Sequence, residues 1–427
     1  MRGETPSGAG IITKGEHFMN KKTRAWIPVW AIIIASVLIA FEYGKVPPAA
    51  PNMMEVLGIS YTTQGLMMTM FSIAAVVMAL FGGALMDRFG ARKVVSIALL
   101  VSIVGNVVGL FWTSDVGILV TRALEGCGYG AAMTAGPGII AMWYEPKKRG
   151  LANGVWGANV GFAMMIVTLS ATPIMENSNW TGMWIFGLIG AVLAFMLVVV
   201  CVKAPAESER KDLEETTGVK EDTEKHGVLW GYLAPLSLLS AVMFFLVGGA
   251  TDAFNAFTIP FLNVENGWSE GAANMCATIA AAGMLVGGTT MGVVLARTKD
   301  KGMLLFVDML VCAIGLFLWF NLNIGVVGTY IIAFVLGCFL GAAPTVFFAM
   351  APEVARSPKT VGAATAVVVL GQNGGTLAVP ALVGMILDSA GYSAAAVAMG
   401  ALSLVACAIC LFAFRRIYNK SKRVTLE

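Results

Sequence analysis

The stretch Gly83-Ala84-Leu85-Met86-Asp87-Arg88-Phe89-Gly90-Ala91-Arg92-Lys93 lies between two long apolar runs, 61–84 and 93–113. It packs one acid, three bases and two glycines into eleven residues. Gly90 lets the chain turn back, and Gly83 lets a neighbouring helix approach closely. Asp87 with the basic residues can form a charge latch against that neighbour. A loop that only obeyed the rule keeping Lys and Arg on one side of a membrane would explain the bases. It would not explain Asp87 or the glycines.

Outward from this loop the chain is apolar in both directions. Of its 427 residues 58% are hydrophobic and 12% charged, against roughly 25% charged in a soluble domain. Mean hydropathy is +0.80. These figures exclude an ordinary soluble enzyme. Apolar stretches fall at 26–50, 61–84, 93–113, 117–142, 151–173, 181–202, 229–259, 269–295, 303–322, 325–351, 361–386 and 391–414. Each has about the length a helix needs to cross the hydrocarbon core, so twelve spans are expected. The first run is of full spanning length with no small-residue cleavage site after it, so no signal peptide is expected. Met19, heading Asn20-Lys21-Lys22, would serve as well as Met1 for a start.

The basic residues test that count. With the inter-span segments assigned alternately to two sides, 26 of the 28 Lys and Arg fall on one side. These are in the N-terminal tail, the loop around Arg88, Lys147 to Arg149, the central segment, the loops at Arg297 to Lys301 and Arg356 to Lys359, and the C-terminal tail. The positive-inside rule therefore predicts both termini and the central segment in the cytoplasm. Only Lys45 and Arg122 are left within or beside apolar spans. The net charge of +3 does not point to nucleic acid.

Residues 203–228 are acidic and basic in alternation and read as a solvated linker. The expected organisation is a cytoplasmic tail (1–24), a six-helix bundle (25–202), the linker (203–228), a second six-helix bundle (229–414) and a C-terminal tail (415–427). The halves repeat. Gly126-Cys127-Gly128-Tyr129-Gly130-Ala131-Ala132 returns as Gly337-Cys338-Phe339-Leu340-Gly341-Ala342-Ala343 at an offset of 211. Gly58-Ile59-Ser60 returns as Gly267-Trp268-Ser269, Glu42 has Asp252 in the corresponding span, and Gly157 to Gly161 resembles Gly371 to Gly375. Repeated halves of this kind place a substrate site near the midplane between them.

The loop from Gly83 to Lys93 resembles the signature G-x-L-x-D-R-x-G-x-R-K of the major facilitator superfamily at every fixed position. The resemblance extends over about residues 24–416. It implies an all-α membrane protein of twelve transmembrane helices in two pseudo-symmetric six-helix bundles, acting as a secondary transporter by alternating access, with Gly83, Asp87, Arg88, Gly90 and Arg92 as a conformational latch. The second-half counterpart, Gly292 to Lys301, has Ala296 in place of the Asp. Arg122-Ala123-Leu124-Glu125-Gly126-Cys127-Gly128 resembles the span-4 motif R-x-x-Q-G-x-G, with Glu for Gln. Span 1, Glu42-Tyr43-Gly44-Lys45-Val46-Pro47-Pro48-Ala49-Ala50-Pro51, is similar in register to anion:cation symporters and to permeases grouped with cyanate and nitrate porters, although Tyr43 and Lys45 replace the Arg and Asn of the former.

The residues supply a chemistry of their own. Arg122 and Glu125 share a helix face. Pairing alone is a sufficient reason for both, because a lone Arg at the bilayer centre costs at least about 2.5 kcal/mol. The alternative is that Glu125 takes up a proton when Arg122 changes partner. Lys45 is a natural counter-ion for an anion, with Glu42 holding it when the site is empty. Its place in the outer part of the span also lets it snorkel to the interface. Thr251, Asp252, Asn255 and Thr258 lie on related faces of span 7, before Pro260, and Gln372 and Asn373 sit among glycines in span 11. For each of these a purely architectural role, interhelical hydrogen bonding above all, competes with the functional one. Substrate-binding residues are expected at Lys45, Tyr43, Arg122, Asn255, Gln372 and Asn373. Proton coupling is expected at Glu42, Glu125 and Asp252. Asp308, near the start of span 9, is expected at the interface.

His17 and His226 fall in polar segments, and no Walker loop, nucleophile elbow or H-E-x-x-H occurs. Neither catalysis nor a cofactor or metal is therefore expected. Cys407-Ala408-Ile409-Cys410 has redox spacing but lies in a span, where packing is its expected role. The expected function is uptake, by a monomer in lipid, of a small carboxylate or inorganic anion together with protons. A drug/proton exporter is the alternative within transporters, disfavoured because Gly157 to Phe162 lacks the span-5 pattern G-x-x-x-G-P. A transporter-like ligand sensor is the alternative outside them.

Overall fold

The computed structural model describes residues 21–144, 152, 155–203, 234–298, 300–321, 324–354 and 361–424. The 1–20 tail with His17, Lys147 to Arg149, the linker beyond Lys203 with His226, Lys299, and Arg356 with Lys359 lie outside the described residues. Described helices run α1 Lys21–Gly44, α2 Val46–Leu57, α3 Tyr61–Phe89, α4 Ala91–Gly109, α5 Asp115–Trp143, α6 Asn159–Cys201, α7 Pro235–Pro260, α8 Glu270–Arg297, α9 Lys301–Trp319, α10 Gly325–Val354, α11 Val361–Ile409 and α12 Arg415–Val424. No strand occurs among the described residues.

The twelve expected spans map onto these elements unevenly. α1 and α2 together make one span, interrupted at Lys45. Pro47, Pro48 and Pro51 follow the interruption. Without N–H groups they cannot continue the ladder to the carbonyls one turn back, so backbone bonding is thinnest beside the ionisable residues. α6 is 43 residues and α11 49 residues long, each about twice what one crossing needs at 1.5 Å per residue. Each contains two spans. α6 breaks at Asn179 (φ 49°) and α11 at Gly391 (φ 75°). The breaks stand at nearly the offset of the repeated motifs, so the duplication read in the sequence is also present in the backbone.

The repeated glycines explain how each bundle closes. A side chain at Gly126 would meet the Phe71 carbonyl and one at Gly130 the Ala75 backbone, so α5 lies directly on α3. In the second half Gly337 meets Ala280 and Gly341 meets Met284, so α10 lies on α8 in the same way. In lipid such close backbone approach replaces the hydrophobic drive that joins helices in water. Gly130→Val and Gly341→Val are each expected to destabilise by about 1–3 kcal/mol through overpacking, read as an early loss of the monodisperse peak on heating. Unchanged melting of both would remove this account of the repeat.

The halves meet along α3 with α11, α6 with α8 and α2 with α7. Their cross-half hydrogen bonds gather toward the ends distal to the two chain termini. The backbone N–H groups of Tyr61 and Thr62 donate to Asp388 at 3.0 and 2.8 Å, and Gln64 donates to the Ala256 carbonyl at 2.7 Å. Thr69 donates to the Leu377 carbonyl at 2.6 Å, Asn274 to Thr172 at 3.2 Å and Thr278 to Thr168 at 2.7 Å. Large side chains such as Phe81, Ile97, Val200 and Val327 are exposed on the outer faces, as lipid-facing residues are.

One position departs from expectation. Asp308 is not interfacial: it stands two turns inside α9, 1% exposed, and both carboxylate oxygens lack a partner among the described residues. The basic loop at Arg297 to Lys301 marks where the span begins, but α9 already runs from Lys301 and buries this face against α11.

Candidate functional site

Four of the ionisable side chains singled out in the sequence converge at the interruption in span 1. Lys45 Nζ donates to Glu42 Oε2 at 2.6 Å, to Asn106 Oδ1 at 2.7 Å and to Glu125 Oε1 at 2.9 Å. Arg122 Nη1 donates to the Glu42 backbone carbonyl at 2.8 Å and to Glu125 Oε2. Asn106 Nδ2 donates to Glu42 Oε1 at 2.8 Å and to the Ser102 carbonyl, one turn back on its own helix, at 3.0 Å. Glu42, Lys45, Arg122 and Glu125 are all 0% exposed. Two acids and two bases thus form a closed, charge-balanced set inside the first bundle, contributed by α1, the α1–α2 junction and α5, with Asn106 of α4 bridging them.

Aromatic faces roof the cations. The Lys45 ammonium lies 4.5 Å from the Trp184 ring centroid and the Arg122 guanidinium 4.5 Å from that of Phe71, a geometry that favours cations in a dry site. Lys45 therefore does not snorkel; its amine is held inside the bundle. Arg122 is only half used. Its Nε and Nη2 lack partners among the described residues, which leaves one edge of the guanidinium fork free. That edge has the spacing at which arginine binds a carboxylate by two parallel hydrogen bonds.

Next to the cluster the first bundle touches the second. Tyr43, one residue from Glu42, donates its hydroxyl to Asp252 Oδ1 at 2.8 Å, and Thr376 on α11 donates to Asp252 Oδ2. Asp252 is thus a carboxylate held by two hydroxyls and no cation among the described contacts. Tyr43 stacks on Tyr129, with centroids 6.2 Å apart, and Phe71 lies 5.2 Å from Tyr129. Asn255 is one helical turn from Asp252, and Gln372 one turn before Thr376, both half-buried, as is Asn373. Of the polar side chains in the second half, Thr376 is the one that contacts Asp252 among the described residues; Asn255 and Gln372 stand one turn from these two along their helices.

The latch residues divide. Gly90 makes the turn between α3 and α4 with φ 85°. Arg92 donates to the Val199 carbonyl at the end of α6, and Arg88 lies over the Phe89 ring. The side chain of Asp87 and the surroundings of Gly83 lie outside what the structure describes. Asn106, Thr376, Trp184 and Phe71 were not singled out in the sequence, and Phe71, one phenylalanine among 23, carried no signal. Asn106 carried a signal, as an amide inside an otherwise apolar run. Thr376 carried a weaker one, a hydroxyl one turn from Gln372. Trp184 carried none.

The two repeated helical bundles have counterparts among known proteins at the level of family and fold. The family model described as Major Facilitator Superfamily matches residues 32–255 and again 241–426. The chain belongs to the major facilitator superfamily. The two matches overlap at residues 241–255, within α7. This major facilitator protein is 26% identical over 285 residues to the hexuronate transporter of Bacillus subtilis strain 168, covering 64% of this chain and 66% of that one. It is 24% identical over 201 residues to a probable galactarate/D-glucarate transporter of Escherichia coli K12, covering 44% of each. An uncharacterised transporter of the same type from Mycobacterium tuberculosis is 29% identical over 180 residues, 40% of this chain and 31% of the relative. The chain thus spans between about a third and two thirds of the length of these relatives. In three dimensions it resembles a bacterial homologue of the human lysosomal transporter Spinster in an inward-facing, unoccupied conformation, with a TM-score of 0.75, 14% identity and 93% and 98% of the two chains covered. The nucleoside transporter NupG gives a TM-score of 0.70 at 16% identity, covering 90% and 98%. These structural likenesses concern the fold.

Proposed function

We propose that this transporter moves a small organic anion, a sugar acid or a related carboxylate, across the bacterial cytoplasmic membrane together with protons, both termini facing the cytoplasm. The observation that carries this reading is the balanced cluster of Glu42, Lys45, Arg122 and Glu125, with one edge of the Arg122 fork unpartnered. An isolated charge inside the bilayer costs at least about 2.5 kcal/mol. A carboxylate entering a set already neutral would leave one excess negative charge. Uptake of one proton by Glu42 or Glu125 restores the balance and frees Lys45 or Arg122 to bind the substrate. The same balance links each anion to a proton, which is the stoichiometry of symport. The hexuronate and glucarate relatives support a carboxylate as the solute.

Within this scheme Lys45 and Arg122 hold the carboxylate, Tyr43, Asn255, Gln372 and Asn373 supply hydrogen bonds to its polar groups, and Glu42, Glu125 and Asp252 exchange protons. Gly83, Asp87, Arg88, Gly90 and Arg92 act as the latch on the face of the termini. The two bundles, 25–202 and 229–414, rock about the site as units within a monomer, with 203–228 as the linker. Transport of this kind uses no bound cofactor and no covalent chemistry.

A thermal-stability screen of the purified protein tests the solute class. A ligand that binds the folded state raises apparent stability by RT ln(1 + [L]/Kd), about 2.7 kcal/mol at 100 times Kd. Glucuronate, galacturonate, glucarate and short-chain carboxylates are expected to raise the melting temperature by several degrees, cyanate and nitrate by less. Stabilisation by amphipathic cations alone would replace this reading with that of a drug exporter. Binding without counterflow in proteoliposomes would replace it with that of a sensor.

A further inference from the structure

The signature that ends α3 has a second copy that sequence matching between the halves passes over, because the copy runs at the opposite face. Gly83, Asp87 and Gly90 are spaced four and three residues apart; Gly384, Asp388 and Gly391 have the same spacing. The first set closes α3 at the face of the termini. The second closes the first arm of α11 at the distal face, and α11 is the helix packed against α3 across the interface. Both sets finish on a glycine with positive φ, 85° at Gly90 and 75° at Gly391.

The geometry points to Asp388 as the residue that locks the distal gate of this transporter. Its two carboxylate oxygens take the backbone N–H groups of Tyr61 and Thr62, at 3.0 and 2.8 Å. These are the first two donors of α3, and Ser60 takes the third, from Thr63, at 3.1 Å. The start of a first-half helix is thus capped by a second-half carboxylate, which also meets the positive end of the helix dipole. Backbone contact brings the two helices this close. A side chain at Gly384 would meet the Tyr61 carbonyl, and one at Gly65 the Pro380 carbonyl. The Tyr61 ring continues the seam, edge-on to Tyr392 with centroids 5.6 Å apart.

The pseudo-symmetric seam between α6 and α8 is built differently. α8 begins at Ser269, whose hydroxyl caps Ala272, and carries its own acid, Glu270, in the first turn. Its cross-half hydrogen bonds among the described residues run between neutral side chains, Asn274 to Thr172 and Thr278 to Thr168. Among the described residues, the start of α3 is capped by a carboxylate of the other half, whereas the start of α8 is capped from within its own chain segment. When the distal face opens, Asp388 must leave Tyr61 and Thr62, and these two exposed bonds across the halves are exchanged for bonds to water. The lock therefore weights the closed distal state, whatever the solute.

Hydrogen–deuterium exchange on the full-length protein in nanodiscs tests this role. Asp388→Asn keeps the size and one acceptor but removes the charge. It is expected to raise exchange in the first turn of α3 and the distal ends of α7 and α11, on the order of tenfold. Exchange at the ends of the same helices nearest the termini is expected to fall, because closing one face accompanies opening the other. Asp388→Glu should restore most of the wild-type pattern. Gly384→Ala, which wedges the same seam and leaves the carboxylate in place, should shift exchange in the same two directions and serves if the Asn variant does not fold. A rise confined to the first turn of α3, with no fall at the opposite face, would reduce Asp388 to a helix cap and overturn the proposal. So would an unchanged pattern in both variants.

Discussion

Lys45→Met is expected to abolish uptake, with a loss of at least a hundredfold. The amine serves three acceptors within 2.9 Å, two of them carboxylates that are 0% exposed. Its removal leaves Glu42 and Glu125 sharing Arg122, with one negative charge in excess. At about 4 Å and an effective dielectric constant near 20, one unit charge acts on another with about 4 kcal/mol, so an incoming anion would be strongly repelled. The same substitution breaks a buried ion pair, which costs about 3–5 kcal/mol of stability, so lost uptake alone would not separate binding from folding. The double variant Lys45→Met with Glu42→Gln makes that separation. It restores the charge balance and should recover most of the melting temperature lost by the single variant, yet still fail to take up solute because the ammonium is gone. Uptake restored together with stability would show that Lys45 is a structural counter-ion only, and would remove it from the substrate site.

The fold was legible in the sequence because its main determinants are long-range averages. The length of each apolar run and the side on which the basic residues fall depend on many residues at once, and 26 of 28 basic residues agreed. The loop at Gly83 to Lys93 and the glycines at 126 to 130 and 337 to 341 added specific local constraints. Of the site, the ionisable members were legible because charge is so costly in a bilayer that every buried instance needs a reason. Glu42, Lys45, Arg122 and Glu125 come together as that reasoning requires. Asn106 and Trp184 were harder to see. A lone amide or an indole is tolerated almost anywhere in a span, and its importance depends on which atom it happens to face. Asp308 failed in the opposite direction. Its distance from a basic loop suggested the interface, whereas helix rotation decides whether a residue faces headgroups or a neighbouring helix, and no residue near it in the chain records that rotation. Asp388 was missed for a third reason. Its partners are backbone N–H groups more than three hundred residues earlier in the chain, and a backbone group leaves no mark on the sequence.

Among the carboxylates, Glu125→Gln is expected to leave solute exchange intact while removing its dependence on a pH gradient. In the resting cluster Glu125 takes one bond from Lys45 and one from Arg122, so it is the acid whose neutralisation releases both cations toward a ligand. Gln is nearly isosteric with a protonated Glu, and the variant cluster carries the net positive charge that proton uptake would otherwise create. The variant should therefore hold the anion without taking up a proton. Counterflow in proteoliposomes, where no net proton movement is required, should proceed at a rate near that of the wild type. Uptake driven by an inward proton gradient should fall to the rate seen without one, an effect on the order of tenfold or more, since a gradient of one pH unit is worth about 1.4 kcal/mol per coupled proton. Asp252→Asn provides the contrast. Asp252 is held by the hydroxyls of Tyr43 and Thr376 from opposite halves, so its variant alters the contact between the bundles as well as a protonation site, and exchange itself should slow. If Glu125→Gln, Glu42→Gln and Asp252→Asn all kept full acceleration by the gradient, none of these three carboxylates would carry the coupled proton and the symport scheme would have to be abandoned. If only Glu125→Gln lost it, the proton path would lie wholly within the first bundle, beside the cation that the same proton sets free.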